Sequence, residues 1–268
     1  MSKLKSFVIA TRGRTGSTAL ADAVDQIEDV RCFAELLSSV CLPCKNGLSD
    51  SILSKALTEA GHCQSFEHYS GVKNLDQWWL QVKNQSPKDL SYIGFKVVGS
   101  VWSENQRFLP FVKEHLDVIH LTRDPVMQAI SGLYARELQF WNVPLEDNVM
   151  MHEFQSKKNQ PVFLNPSEVA LEATYARNWQ IEFPKLLHGL KGKIIEVQYE
   201  EIFDDQRNSR SINELCEYFS VNEFSLGEAR YAQNLTDYEA QVLNLEEVKQ
   251  HLVDQELDVT QLSRVSNL

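Results

Sequence analysis

A short apolar run that empties into a glycine-containing turn and then a helical pattern constrains this chain more than any other feature. Phe7-Val8-Ile9-Ala10-Thr11 carries no charge and is rich in β-forming residues, the form of a strand buried on both faces. Arg12-Gly13-Arg14-Thr15-Gly16 follows. From Ser17 to Asp29 the residues Leu20, Ala23, Val24 and Ile27 then recur at helical spacing. A buried strand delivered through such a turn to a helix start makes an anion cradle. Backbone N–H groups converge there, and the helix dipole favours negative charge.

The rest of the chain repeats the alternation of strand and helix. Strands are expected at Val30–Phe33, Tyr92–Val98, Val118–Thr122 and Ile194–Gln198. Helices are expected near 50–60, 75–83, 104–115, 125–141, 167–187 and 208–219, with 142–165 a loop or lid. Asp124-Pro125 places an N-cap before a proline suited to the first helical turn. Strands alternating with helices predict an α/β fold of three layers, a mainly parallel sheet with helices on both faces. No linker or repeat divides the 268 residues, so one domain is expected. Its core covers about residues 7–220, and a helical, weakly packed extension covers about 221–268.

Composition narrows the function. The chain is 43% hydrophobic and 24% charged, enough apolar surface for a real core and too much for a disordered protein. No apolar run is long enough to span a bilayer, and the start lacks a secretory signal, so a cytoplasmic protein without an integral membrane segment is expected. The net charge of −11 comes from acidic residues late in the chain, mostly after Tyr199. Nucleic-acid binding runs on phosphate neutralisation by Lys and Arg, which sets DNA, RNA and long polyanions aside. Five cysteines form an odd count. Cys41 and Cys44, with Cys32, His62 and Cys63 nearby, have zinc-like spacing, but a single CxxC fits ordinary reduced thiols better.

A second motif lies at residues 118–136, VIHLTRDPVMQAISGLYAR. It puts Arg123 at the carboxyl end of a strand and Ser131 about two turns into the next helix. Open α/β sheets bind ligands at that edge, so both motifs can serve one site. Read alone, Arg123 could equally pair with a neighbouring acid and Ser131 be an ordinary helix residue.

Together the two motifs resemble the sulfotransferases that use 3′-phosphoadenosine-5′-phosphosulfate (PAPS), nearest the bacterial carbohydrate and glycolipid (trehalose-type) branch. Arg14-Thr15-Gly16-Ser17-Thr18 is similar to that family's phosphosulfate loop R-S-G-S-T, and Arg123 with Ser131 to its 3′-phosphate pair. Phe33-Ala34-Glu35-Leu36-Leu37, Ile93-Gly94-Phe95-Lys96 and Tyr199-Glu200-Glu201 add weaker likenesses, in the family's order. The cytosolic steroid- and phenol-type branch carries a loop lysine and a Gly-rich basic segment near the C-terminus, and neither is here.

The resemblance implies a P-loop-like phosphosulfate-binding turn and sulfuryl transfer without a metal. The product would be 3′,5′-diphosphoadenosine (PAP), and the acceptor a hydroxyl of a carbohydrate, glycolipid or small alcohol. Arg12, Gly13, Arg14, Thr15, Gly16, Ser17, Thr18, Arg123 and Ser131 would bind the cofactor. Arg14 and Lys96 would sit near the transferred group, and Glu35 would be the base, with His68 the runner-up. Trp78, Trp79, Tyr134, Phe140 and Trp141 offer rings for a sugar, although helical aromatics usually belong to the core. A homo-oligomer is left open. Two other classes remain. A P-loop kinase would need a lysine in the turn, as in G-x-x-x-x-G-K-[ST], and an acid for magnesium. A non-catalytic nucleotide-binding module would keep the turn and lose the base.

Overall fold

The computed structural model describes residues 4–33, 75–99, 102, 108–140, 147–158, 160–203, 209–226 and 238–265. The chain forms two compact units. The first draws its described residues from Met1–Arg12, Gly16–Thr122 and Leu187–Gly227, the second from Gly13–Thr15, Arg123–Leu186 and Glu228–Leu268. The expected helix at 50–60, Glu35, His68 and the Cys41, Cys44, His62, Cys63 group lie outside the described residues.

The first unit holds a five-stranded parallel sheet in the order β2-β3-β1-β4-β5. The strands are β1 (Lys5–Thr11), β2 (Val30–Phe33), β3 (Tyr92–Val98), β4 (Asp117–Thr122) and β5 (Ile194–Gln198). In β1, β3 and β4 the apolar runs read as strands because both faces are covered, whereas β5 buries only Ile195 and Val197. On one face Phe7, Ile9, Ile119 and Val197 pack with Leu20 and Val24 of α1 (Ser17–Asp25) and with Leu215 and Phe219 of α8 (Arg210–Phe219). On the other, Phe95 meets Trp78 and Trp79 of α2 (Leu75–Gln85) and Phe108 of α3 (Phe108–His115). Trp79 Nε1 donates to Ser6 Oγ at 3.2 Å, which satisfies an indole N–H that burial would otherwise strand. This is the expected α/β architecture with helices on both faces. Trp78 and Trp79 are 0% and 2% exposed, so the possibility that they stack on a sugar is corrected to a core role.

Helix α1 stops at Asp25, four residues before the expected end. Asp29 turns left-handed (φ 57°), and its carbonyl accepts from Ser91 and Tyr92 N–H at the start of β3. Asp25 is spent on β2, accepting from Cys32 N at 2.9 Å and Arg31 Nη1 at 3.2 Å. A local pattern cannot show that a strand start claims the last turn.

The second unit is helical: α4 (Pro125–Leu138), α5 (Asn148–Lys158), α6 (Pro166–Leu186), α9 (Tyr238–Gln241), α10 (Leu245–Asp254) and α11 (Thr260–Val265). Asp124 caps α4, accepting from Met127 N at 2.8 Å, as its position before Pro125 predicts. Gln139 (φ 61°) ends that helix and turns Phe140 into the core, so α4 stops short of the expected residue 141.

Three expectations are corrected in this unit. Residues 142–165 are not simply a loop. Asp147 accepts from Val149 and Met150 N–H and starts α5, whose pattern is faint because Phe154 is its one fully buried side chain among the described residues. Nor are the described residues of the C-terminal segment weakly packed. Tyr238, Val242, Leu245, Val248, Leu252, Leu257 and Leu262 are buried with α4 and α6 residues, each contributing roughly 1.5–3 kcal/mol. Tyr134 and Phe140 are buried in the same cluster, so they too are core and not sugar platforms. Trp141 lies outside the described residues. Among the described residues no helix is long and apolar enough to cross a membrane.

Helix α7 (Tyr199–Phe203) belongs to the first unit and directly follows β5.

Candidate functional site

Strand order decides which edge of the sheet matters. From β1 the chain passes to β2 on one side of the sheet, and from β4 to β5 on the other. Their carboxyl ends, with Thr11 in register with Leu121, are therefore the topological switch point at which open α/β sheets bind ligands. Arg12 and Arg123 are the residues that leave β1 and β4 at that edge. A groove of about 580 Å³ opens at the opposite edge, near Lys5, Asp29 and Tyr92, and no residue of either motif lines it.

Two residues of the turn, Arg14 (φ 67°) and Gly16 (φ 73°), are left-handed. For Arg14 that conformation costs roughly 1–2 kcal/mol, so surrounding bonds must hold it. Gly16 has a second reason to be glycine. A Cβ there would lie 2.6 Å from Tyr199 Cε2 and 2.9 Å from Phe203 Cε2. Those two rings stack with centroids 4.2 Å apart, and they close over the residue that starts α1. Tyr199-Glu200-Glu201 therefore has a structural part. Glu201 accepts from Ser211 N at 2.8 Å and Oγ at 2.5 Å, tying α7 to α8.

Within the first unit, Gly16 is the N-cap of α1 and has no side chain with which to cap it. The first-turn amides of a nine-residue helix are thus without a side-chain acceptor at the cap, the arrangement an anion completes. Lys96 on β3 pairs in register with Ile9 and is 2% exposed. Its Nζ donates to Thr18 Oγ1 at 2.9 Å, in the first turn of α1. Arg12 lies against the residue after β3, its Cγ 3.6 Å from where a Cβ on Gly99 would stand.

Within the second unit, α4 holds the middle of the turn. Gln128 Nε2 donates to Gly13 O at 2.6 Å, and Arg123 Nη1 to Arg14 O at 3.0 Å. The Arg14 Cγ is 3.5 Å from where a Cβ on Gly132 would stand, beside Ser131, which is 5% exposed. Arg123 is itself braced. Its carbonyl accepts from Gln180 Nε2 at 2.5 Å, and its Nη2 donates to the Tyr238 hydroxyl at 3.3 Å. Burial pushes the neighbouring Asp124 carboxyl above its ordinary value, while the Met127 and Val126 amides and the Arg123 charge pull against that rise.

So Arg14, Arg123 and Ser131 share one neighbourhood of the second unit, and Lys96 joins Thr18 in the first. Sequence reasoning missed Gln128, Gln180 and Tyr238. Gln128 had a signal, since it sits one turn before Ser131 on the same helix face. Tyr238 is 115 residues from Arg123 and had none. Among the described residues no group of three or more His, Cys, Asp or Glu side chains could hold a metal ion.

No protein-family model and no curated protein matches this sequence. Solved structures do. The chain is similar to a sulfotransferase from Alicyclobacillus acidocaldarius over 85% of this chain and 87% of that one, at 11% identity and a TM-score of 0.46. It is similar to mouse sulfotransferase SULT7A1, solved with PAP, over 99% and 90% of the two chains, at 10% identity and a TM-score of 0.32. It is also similar to a retinol dehydratase solved with retinol and PAP, over 96% and 83%, at 16% identity and a TM-score of 0.29.

Proposed function

We propose that this chain is a sulfotransferase that moves a sulfuryl group from PAPS to the hydroxyl of an uncharged acceptor such as a carbohydrate, glycolipid or small alcohol. The observation that carries the reading is the bond from Arg123 Nη1 to Arg14 O, 3.0 Å. It joins the two motifs on which the family resemblance rests, across a left-handed turn ahead of a helix whose N-cap is a glycine. The donor set fits an anionic nucleotide: amides at a helix N-terminus, two arginines and a serine hydroxyl.

PAPS supplies the activated sulfuryl group when bound. In this reading the amides of Thr15 to Thr18 hold the 5′-phosphate, with Gly13 and Gly16 letting the backbone come close. Arg123 offers its planar fork to the 3′-phosphate, and Ser131 adds a hydroxyl. Arg12, Arg14 and Lys96 set positive charge where negative charge must be stabilised. Glu35, next to β2 in sequence, takes the acceptor's proton. An acidic chain repels polyanions, which favours an uncharged acceptor.

The test is calorimetric. The protein should bind PAP far more tightly than AMP or ATP, with no need for magnesium. Equal affinities, or ATP binding that requires magnesium, would overturn the reading.

A further inference from the structure

We propose that Tyr238 is a positioning residue for the Arg123 fork, which makes the C-terminal helices part of the 3′-phosphate grip. The proposal rests on the sulfotransferase reading of the site. An arginine side chain has many rotamers, and an anion that must order it loses affinity. Here the ordering is done by the protein. Nη1 is tied to Arg14 O at 3.0 Å and Nη2 to the Tyr238 hydroxyl at 3.3 Å, so both arms of the planar group are set before a ligand arrives.

A brace is useful only if it is itself fixed, and Tyr238 is. It is 5% exposed and sits in the hydrophobic cluster of the second unit. One turn later Gln241, 3% exposed, donates to the Tyr134 hydroxyl at 3.0 Å and to Lys158 O at 2.7 Å. Tyr134 donates to the same carbonyl at 2.5 Å. Val162 N–H donates to Gln241 O, and Leu243 N–H returns the bond to Val162 O, each at 2.9 Å. Asn244 then pairs with Leu164 through both amide atoms, at 2.8 and 3.0 Å. Residues 238–244 are thus fastened to the C-terminal end of α5 and the segment before α6 by buried and part-buried polar bonds. That much fastening is more than a four-residue helix needs for its own sake, and it holds the hydroxyl that meets Arg123.

Tyr238→Phe removes this hydroxyl and keeps the ring in the core. Calorimetry on the full chain should show PAP affinity falling roughly three- to tenfold, the size of ordering one long side chain on binding. Affinity for 5′-AMP, which has no 3′-phosphate, should stay the same. The KM for PAPS should rise with kcat unchanged. In an Arg123→Lys background, where no planar fork remains to be oriented, the same change should do nothing more. Equal losses for PAP and AMP, no loss for either, or an undiminished effect in the Arg123→Lys background would overturn the role of Tyr238. The unmutated protein separates this from the reading beneath it. If it binds PAP and AMP alike, the sulfotransferase reading fails, whatever Tyr238→Phe does.

Discussion

Lys96, buried in β3, places its Nζ 2.9 Å from the hydroxyl of Thr18 in the first turn of α1. A lysine is rarely buried without a task, because taking its charge out of water is costly. Here one task is local, fixing the start of the helix that carries the turn. The other is proposed, stabilising charge on the transferred group. Lys96→Met keeps the volume and removes the charge. Turnover should fall by roughly 10²–10³-fold, the scale of one lost electrostatic donor, with PAP affinity changing far less. Kinetics beside calorimetry check this, and wild-type turnover would end the proposed role.

Gly16→Ala tests the turn. The new methyl would meet the Tyr199 and Phe203 rings at a left-handed position. Overpacking and backbone strain together should cost about 2–4 kcal/mol. Urea unfolding measures it, and a loss under about 0.5 kcal/mol, the range of neutral surface changes, would show that the rings move aside.

Arg14→Ala and Arg123→Ala should each weaken PAP binding by roughly 10–150-fold, because bonds to charged groups are worth about 1.5–3 kcal/mol. The two differ in what else they lose. Arg123→Ala should also erase the preference for PAP over AMP, whereas Arg14→Ala should lower turnover as well. Titration of both nucleotides against both variants separates these outcomes.

Glu35→Gln should leave folding and PAP affinity intact and cut turnover by ~10²–10⁴-fold if the carboxylate is the base. Full activity on the identified acceptor would move attention to His68.

His120 makes stability depend on pH. It lies in β4 between Ala10 and Glu196, 2% exposed, and burial pulls its pKa down from 6.5 to about 4. Between those values the unfolded chain binds a proton that the folded chain refuses. Stability is therefore lost as pH falls from about 6.5 towards 4, by up to about 3 kcal/mol from this group. His120→Gln should remove that slope, so the gap between variant and wild type in chemical unfolding should change in the variant's favour on going from pH 7 to 4.5. A constant gap would refute the assignment.

What the sequence determined is what short-range physics determines. Tyr92–Val98 reads as a strand because a mostly apolar run suits a sheet covered on both faces, and Ile194–Gln198 because Ile195 and Val197 alternate with exposed residues. Asp124-Pro125 marks a helix start because cap and proline act on adjacent residues. The turn at Arg12–Thr18 read as a candidate anion site because glycines and arginines there run straight into a helix start. Long-range contacts were silent. The helical pattern through Asp25 does not say that Arg31 and Cys32, past the turn, will claim its carboxylate. Nothing near Phe154 shows that a faint pattern will be held as α5 by a single buried ring. Gly16 looked like a turn glycine, and only the fold shows that Tyr199 and Phe203 also exclude a methyl there. Tyr238 meets Arg123 across 115 residues because burial of the C-terminal helices brings its hydroxyl there, an energy spread over many apolar side chains and written in no local motif.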